Sequence, residues 1–332
     1  MYFIRFALLL AAFGLAQQAA TAQMLQNRID FLGEYYWQPL LYNPCFAGSR
    51  ALPTVGVSGR WSAAYDSNPY TISAFAHTNV DTIRSAFGIT TTYHHYDDYS
   101  VIGGTRYPTN KRYLDINGLY NYRFVLSKQA VIQVGVQAGI LHFDSQDPIY
   151  NNPFNPQPVV LLNERAIKFN WGFAALITWR NWYLGATMAH FNQPTFQFTQ
   201  PGTNHQFSRM MFLQTGYSIN ISDRFYIQPS VMMQAFLLQT GIANTALRPL
   251  VDINLQLDYR HHLFVGAAYR INGDPYFMSV KAGGRIGKTQ LSAAYHFSRN
   301  AGNAQRIEAT LGLFLWQSND DTDVLYELEE TE

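Results

Sequence analysis

Long segments in which apolar and polar residues alternate dominate the chain from about residue 52 to residue 317. The segment 251–259 opens with Val251, Asp252 and Ile253 and keeps this alternation to its end. Because successive side chains of a strand point to opposite faces, alternation with period two predicts β-strands. These segments are about 10–14 residues long, whereas soluble strands cluster near 5–6 residues and membrane-crossing strands need about 9–11. Their length favours a transmembrane sheet over a soluble one.

The number and spacing of these segments predict a closed barrel of about 14 strands. We place the strands near 52–64, 70–80, 84–94, 112–125, 130–143, 165–178, 181–191, 207–220, 224–238, 249–259, 262–272, 275–285, 288–298 and 305–317. Gaps after even-numbered strands are short, whereas those after odd-numbered strands include 95–111, 144–164, 192–206 and 239–248. Short turns on one side and long loops on the other are typical of outer-membrane barrels, whose short turns lie in the periplasm. The predicted fold is therefore an all-β, transmembrane, antiparallel up-and-down β-barrel with both ends in the periplasm.

The composition agrees with a membrane barrel and excludes other classes. Aromatic residues make up 15% of the chain and charged residues only 14%, against about 25% charged residues in soluble domains. After the N-terminus there is no apolar run of about 18 residues that would predict a membrane helix. The net charge of +1 gives no sign of nucleic-acid binding. Aromatics near strand ends predict two girdles at the membrane surfaces: Tyr93, Tyr113, Phe143, Trp179, Trp182, Tyr226, Phe297 and Trp316.

The first 22 residues are typical of a signal peptide. Arg5 precedes an apolar run over 6–16, and Ala20-Thr21-Ala22 forms a cleavage pattern. A buried N-terminal helix is the alternative. We therefore expect residues 1–22 to direct export and the mature protein to reside in the outer membrane.

Two further segments flank the predicted barrel, which we assign to 51–317. Residues 23–50, the pre-barrel segment, are aromatic and broken by Pro39 and Pro44, which predicts turns. The segment either fills the periplasmic mouth of the barrel as a plug, the interpretation we favour, or docks against a partner. The tail 318–332 is acidic; it is either solvated in the periplasm or bound to a basic partner.

The sequence carries no recognisable catalytic or metal-binding pattern, so we expect neither an enzyme nor a cofactor. His77, His190 and His296 lie near hydroxyl residues, but nothing in their spacing unites them. The adjacent pairs His94-His95 and His261-His262 point to opposite faces of a strand and would not chelate together.

Several charged residues are predicted to point into the barrel by the same alternation: Arg60, Asp115, Arg123, Asp252, Asp258 and Glu308. They form either the selectivity filter of a pore or a set of mutually neutralising charges that hold the plug. The near balance of the two signs favours the second interpretation.

One motif in the pre-barrel segment resembles the N-P-A-Y-A-G-S signature of the PorP/SprF family of Bacteroidetes. It comprises Asn43, Pro44, Phe46, Ala47, Gly48 and Ser49, preceded by Tyr42, with Cys45 at the usual alanine position. Further positions are similar to family motifs in the same order: Arg60, Trp61, Pro69, Arg123, Asp252 and Arg270. The resemblance covers most of the mature chain.

This resemblance implies a non-catalytic outer-membrane barrel of the type IX secretion and gliding machinery. Such a protein would bind exported cargo through a C-terminal signal domain, for secretion or surface anchoring, and would contact periplasmic components. The loop containing Tyr150, Asn151, Pro153 and Phe154 is the candidate cargo contact, because aromatic residues supply much of the energy of protein interfaces. The main alternative is a porin or a transporter of small or hydrophobic molecules. An outer-membrane enzyme and a purely structural barrel are further alternatives.

Overall fold

Fourteen long strands account for most of the residues that the computed structural model describes, namely 38–49, 53–63, 69–102, 105–149, 160–196, 205–237, 249–260, 262–272, 276–298 and 305–314. The strands are β1 Thr54–Ala63, β2 Tyr70–Val80, β3 Ser85–Ile102, β4 Thr105–Ser127, β5 Ala130–Ile149, β6 Val160–Trp179, β7 Trp182–Ala189, β8 Arg209–Tyr217 with Ile219–Ser222, β9 Phe225–Leu237, β10 Leu250–Tyr259, β11 Leu263–Ile271, β12 Tyr276–Ile286, β13 Thr289–Ser298 and β14 Gln305–Phe314. Within those ranges, no helix combines the length and the apolar character needed to cross a membrane.

Each strand pairs antiparallel with its neighbours in chain order, and β1 pairs with β14 from Thr54↔Phe314 to Ala63↔Gln305. This last pairing closes the sheet, so that the barrel has no open edge along its wall. The predicted fold class and the number of strands are confirmed. β8 is interrupted at Ser218. Continued one residue past Gly216↔Ser230, the register would set Tyr217 opposite Pro229, which has no N–H to donate to the ladder.

The two faces of the wall are the reverse of those in a soluble protein. Trp61 is 51% exposed on the outside, whereas its neighbour Arg60 is 3% exposed on the inside. In β10, Ile253 is 48% exposed while Asp252 and Asn254 are buried. An apolar exterior with a polar interior is stable only where lipid surrounds the barrel.

The two ends of the barrel differ. Turns of a few residues join β2 to β3, β4 to β5 and the later pairs at one end, which we call the short-turn end. At the opposite end, the hairpin end, β3 and β4 stay paired up to Ile102↔Thr105, and β5 and β6 up to Ile149↔Val160. The prediction of long loops over 95–111 and 144–164 is therefore wrong for most of their residues, which continue the strands. Polar residues such as Asp97 and Asp98 hid this continuation, because they break the apolar alternation beyond the membrane.

The two projecting hairpins separate from one another above the wall. Pairing between β4 and β5 ends at Asn110↔Gln146. If the pairing continued for two more residues, Pro108 would lie opposite Pro148, and neither residue has an N–H to donate. The ladder consequently stops, and β3–β4 and β5–β6 continue as separate hairpins.

Three of the predicted girdle residues belong to the inner face of the wall, namely Tyr113, Phe143 and Tyr226, which lies opposite the buried Asp258. Tyr113 and Phe143 point into the barrel, where their rings stack with centroids 4.6 Å apart. The assignment failed because it considered only their position near a predicted strand end and not the face to which each side chain belongs. Trp179 does lie outside, 55% exposed.

Several predictions from the sequence lie outside the described residues. These are the signal peptide 1–22, the acidic tail 318–332, the loop 239–248, and the candidate cargo residues Tyr150, Asn151, Pro153 and Phe154.

Candidate functional site

The pre-barrel segment forms two short 3₁₀ turns, Pro39–Leu41 and Pro44–Phe46. Each turn begins with proline, whose fixed φ angle suits the first position of a helical turn. The Asn43 side chain caps the second turn by accepting a hydrogen bond from the Cys45 amide at 2.9 Å. These contacts agree with the turn-rich structure predicted for this segment.

The second turn, Pro44–Phe46, lies against the inner faces of β4, β5 and β6. Cys45, Phe46 and Ala47 are buried in one apolar cluster with Leu119 of β4 and Leu176 of β6. The contact extends around the wall, since the Phe46 ring meets Tyr183 of β7 edge-on at 5.8 Å and the Tyr42 ring meets Phe212 of β8 at 5.7 Å.

Hydrogen bonds from the wall fix the backbone of the segment. The Asn121 side-chain nitrogen donates to the carbonyl oxygens of Pro44 at 3.0 Å, Cys45 at 3.3 Å and Ala47 at 2.8 Å. The Gly48 amide donates to Nδ1 of His77 at 3.0 Å. In this arrangement, His77 must be neutral with its proton on Nε2.

Asn43 anchors the segment to a third strand. Its side-chain nitrogen donates to the carbonyl oxygen of Ala175 in β6 at 3.3 Å, while its side-chain oxygen caps the turn. A single side chain thus shapes the segment and attaches it to the wall.

Gly48 occupies a position that other residues would strain. Its φ angle is +67°, and a Cβ atom placed there would lie 2.5 Å from the Cβ of Ala86. The signature glycine is therefore explained both by backbone conformation and by close approach to β3. Ser49 ends the described part of the segment, with its amide donating to the Phe46 carbonyl at 3.1 Å.

Burial keeps the ionisable groups of the segment neutral. It raises the pKa of the Cys45 thiol to about 12. Burial also raises the pKa of the Tyr42 hydroxyl well above its ordinary value, and the Glu308 carboxylate raises it further, whereas Arg60 and Arg270 act in the opposite direction. Tyr42 therefore lies within electrostatic reach of the charged residues on the wall.

Four of the charged residues predicted to point inward are buried on strands other than β4–β6: Arg60, Asp252, Asp258 and Glu308. Asp115 and Arg123 belong to β4 itself. Arg270 forms a bidentate pair with Asp252, at 2.6 and 2.8 Å. His296 approaches Glu308 at 3.3 Å, and Arg60 donates to the Thr71 hydroxyl at 3.0 Å. In the Asp252–Arg270 pair the two charges neutralise one another, and unpaired charges in such a buried position would be strongly unfavourable.

The remaining family-like residues lie elsewhere. Arg123 is near the short-turn end, where it pairs with Asp81 at 3.0 Å and also contacts Asn79. Trp61 faces outward, and the Pro69 carbonyl accepts a bond from the Ser62 amide at 3.0 Å. The six barrel residues that resemble family motifs therefore do not form one site.

Sequence reasoning missed Asn121 as the main anchor of the segment. The residue belonged to a strand whose polar face was predicted correctly, but no local pattern connects it to residues 44–47. Only the closure of the barrel brings them together.

The hairpin end has an internal cluster of its own. Phe196, Phe143, Leu141 and Tyr113 are buried together, with Phe207 against them. Phe196 belongs to a short pairing of Thr195–Phe196 with His205–Gln206, within the segment predicted to be a long loop.

A polar chain lies beside this aromatic cluster. Asn170 donates to the Asp115 carboxylate at 3.2 Å, and its side-chain oxygen lies 2.9 Å from Nδ1 of His190. The histidine is thus held by an amide, and this chain does not resemble a nucleophile and its base. No cluster of three or more metal-binding side chains occurs in the described ranges.

Comparisons with known proteins identify the family and the fold. The family model described as type IX secretion system membrane protein PorP/SprF matches residues 25–310. No curated protein matches the chain. Its fold is similar to that of the toluene transporter TbuX of Ralstonia pickettii, with a TM-score of 0.52 at 11% identity over 83% of this chain and 93% of that one. It is also similar to the toluene transporter TodX of Pseudomonas putida, with a TM-score of 0.52 at 10% identity over 82% and 91%. The match spans most of the chain, including the pre-barrel segment and all but the last residues of the barrel, and the chain belongs to the PorP/SprF family of type IX secretion system membrane proteins.

Proposed function

We propose that this protein is a non-catalytic outer-membrane barrel of the type IX secretion machinery that binds exported cargo. The cargo would carry a C-terminal secretion signal and would be secreted or anchored at the surface. The hairpin end would face the outside of the cell, and the short-turn end would contact periplasmic components of the machinery.

The observation that carries this proposal is the position of residues 38–49 on the inner wall. The segment is buried, hydrogen-bonded to three strands and close to charged residues of other strands. A barrel whose interior holds part of its own chain suits a protein-binding role better than free diffusion through an open pore. We therefore assign to the segment the role of a plug.

The two projecting hairpins support an outer binding surface. The pairing of β6 with β7 ends at Phe173↔Met188, whereas the pairing of β5 with β6 continues to Ile149↔Val160. The loop with Tyr150, Asn151, Pro153 and Phe154 connects β5 to β6 in sequence, and we assign it to the cargo contact. A rigid hairpin presents such a loop at a low entropic cost of ordering.

Cross-linking in cells tests the main proposal. Photoreactive residues at Asp97 on the β3–β4 hairpin and at Arg165 on the β5–β6 hairpin should capture a large exported protein, whereas one at Leu255 on the lipid face should not. Recovery of no surface protein at either hairpin position, with the barrel correctly inserted, would refute cargo binding.

The fold favours one other function, a channel for hydrophobic molecules, because TbuX and TodX are toluene transporters of similar architecture. Planar bilayers separate the two functions: a plugged cargo-binding barrel should not conduct ions. Uptake of toluene into vesicles containing the barrel, beyond that into empty vesicles, would support the channel instead.

A further inference from the structure

Among the described residues, the β5–β6 hairpin has one edge without a partner strand. β6 pairs with β5 along its whole length, up to Ile149↔Val160, but with β7 only from Phe173↔Met188 onward. No strand in the described part of the chain pairs with residues 160–170 of β6 on the side of β7. This side is therefore an edge with backbone groups available for pairing.

The hydrogen bonds where β6 separates from β7 show which backbone groups of β6 face the edge. The Trp171 carbonyl accepts from the Phe191 amide at 2.8 Å, on the β7 side. Because alternate residues of a strand direct their N–H and C=O groups to the same side, Phe169, Ile167 and Arg165 direct theirs to the open edge.

A side chain closes the first part of this edge. Asn192 donates to the Phe169 carbonyl at 2.7 Å and accepts from the Trp171 amide at 3.3 Å, so its amide group takes the place of a strand. Beyond Asn192, no described residue bonds to the edge-facing backbone groups of Ile167 or Arg165. Thr195–Phe196 lies against β6 but pairs with His205–Gln206 and not with β6, so no described strand pairs with the edge-facing backbone groups of Ile167 and Arg165.

The outward side chains along this edge offer apolar surface beside the backbone groups. Ile167 and Phe169 are 61% and 59% exposed on the outer face of the sheet. The Arg165 guanidinium is exposed as well and lies 3.2 Å from the Asp144 carboxylate. An added strand would bury apolar surface on this face in addition to pairing its backbone.

The other edges above the wall are less suited to pairing. Beyond Tyr70↔His95, no described residue of β2 pairs with β3, and this part of β3 begins with the adjacent acidic residues Asp97 and Asp98. Beyond Gln146, the free edge of β5 contains Pro148. Charge and proline are the devices that normally protect sheet edges. Between Val160 and Trp171, β6 contains no proline.

We propose that an extended strand of an exported protein pairs antiparallel with the open edge of β6 around Arg165 and Ile167. This inference rests on the proposed cargo-binding function and specifies how the cargo is held. Antiparallel addition continues the pattern of every neighbouring pair in the sheet, and it is slightly more stable per residue than parallel addition.

A second copy of the barrel is a poorer occupant of this edge. Two barrels inserted the same way in one membrane are related by an axis along the membrane normal, and both β6 strands then run in the same sense along that normal. They would meet in parallel, whereas an exported chain is free to arrive in the antiparallel sense.

A proline substitution tests the pairing without removing a bond of the barrel. The Ile167 amide faces the open edge, so Ile167→Pro should preserve the β5–β6 ladder while blocking an added strand. Tyr99→Pro is the matched control, because the odd-numbered residues of β3 face the open edge of that strand in the same way. Folding of each variant is checked by its heat-dependent migration in gels.

The measurement is the affinity of the purified, detergent-solubilised barrel for the C-terminal signal domain of a type IX cargo protein. Ile167→Pro should weaken binding by about tenfold or more, the equivalent of one to two lost hydrogen bonds, and Tyr99→Pro should leave it unchanged. Amide exchange at Ile167 and Arg165 should slow when the domain binds the wild-type barrel.

The outcomes separate this inference from the function on which it rests. Equal binding to wild type and Ile167→Pro, with unchanged amide exchange, would overturn strand addition and leave cargo binding intact. Failure of the domain to bind the wild-type barrel would overturn both. Association of barrels with one another that is lost in Ile167→Pro would assign the edge to a second copy and contradict the proposal.

Discussion

The side-chain nitrogen of Asn121 lies 2.8 Å from the carbonyl oxygen of Ala47, and the carbonyls of Pro44 and Cys45 are within reach of the same atom. One residue of β4 thereby supplies a donor to the carbonyl groups of Cys45 and Ala47, and a second donor to that of Pro44, which also accepts from the Ala47 amide at 3.0 Å. Buried carbonyl groups without a donor are unfavourable, so the turn is most stable at this position on the wall. The conformation of the segment and its position in the barrel consequently depend on each other.

Replacing this anchor should loosen the segment. Asn121→Ala removes the shared donor and should lower the free energy of unfolding by about 1–3 kcal/mol. Amide exchange of Cys45 and Ala47 should accelerate. Asn254→Ala is the control, because Asn254 is also buried on the inner wall but donates to Ser230 at 3.0 Å, away from the segment. Equal exchange at Cys45 in the two variants would contradict the anchoring role.

Gly48 offers a second test of the same contact. Gly48→Ala combines an unfavourable positive φ angle with a Cβ that would lie 2.5 Å from that of Ala86. Gly287→Ala carries the conformational cost alone, since φ is +57° and nothing lies within 4 Å of the added atom. Denaturation should therefore show a loss of about 1 kcal/mol for Gly287→Ala and a clearly larger loss for Gly48→Ala.

A double variant separates the clash from the φ angle. Adding Ala86→Gly to Gly48→Ala removes the opposing Cβ. The double variant should therefore lose less stability than the sum of the losses of the two single variants. Strict additivity of the two substitutions would show that close approach to β3 does not limit this position.

Alternation alone predicted which residues face the interior of the barrel. Arg60 is inside and Trp61 outside, as the period of two requires. A strand in lipid is stable only when its apolar face points outward. The same argument predicted the number of strands. It failed at the hairpin end, where no lipid constrains the pattern, and so β3 continues to Ile102 without an apolar face to mark it.

The contacts of the candidate site were beyond sequence reasoning for a different reason. The signature from Asn43 to Ser49 was identified, but its partners Asn121, His77 and Ala175 are far away in the chain. Such contacts depend on the register of several strands and on the shape of the interior. No local pattern in a single sequence records either.

The Asp252–Arg270 pair should contribute strongly to stability. The Asp252 side chain is 7% exposed and that of Arg270 13%, and the guanidinium holds the carboxylate with two short bonds. Arg270→Met leaves the carboxylate without its main partner and should reduce the free energy of unfolding by about 3–5 kcal/mol. Arg165→Met is the control: this exposed pair with Asp144 should be worth about 0–1 kcal/mol. Similar losses in urea titrations of the two variants would rule out a special role for the buried pair.

Cys45 makes the state of the pre-barrel segment directly measurable, because it is the only cysteine of the chain. The thiolate is the reactive form, and burial raises the pKa of Cys45 to about 12, so the thiolate fraction is reduced at every pH below that value. In intact barrels, a maleimide at pH 8 should label Cys45 far more slowly than in urea-denatured protein. Asn121→Ala should increase the labelling rate, whereas Asn254→Ala should not, since only the first substitution releases the turn that buries the thiol. Rapid labelling of the wild-type barrel at pH 8 would show that residues 38–49 leave the wall readily, and would refute a fixed plug.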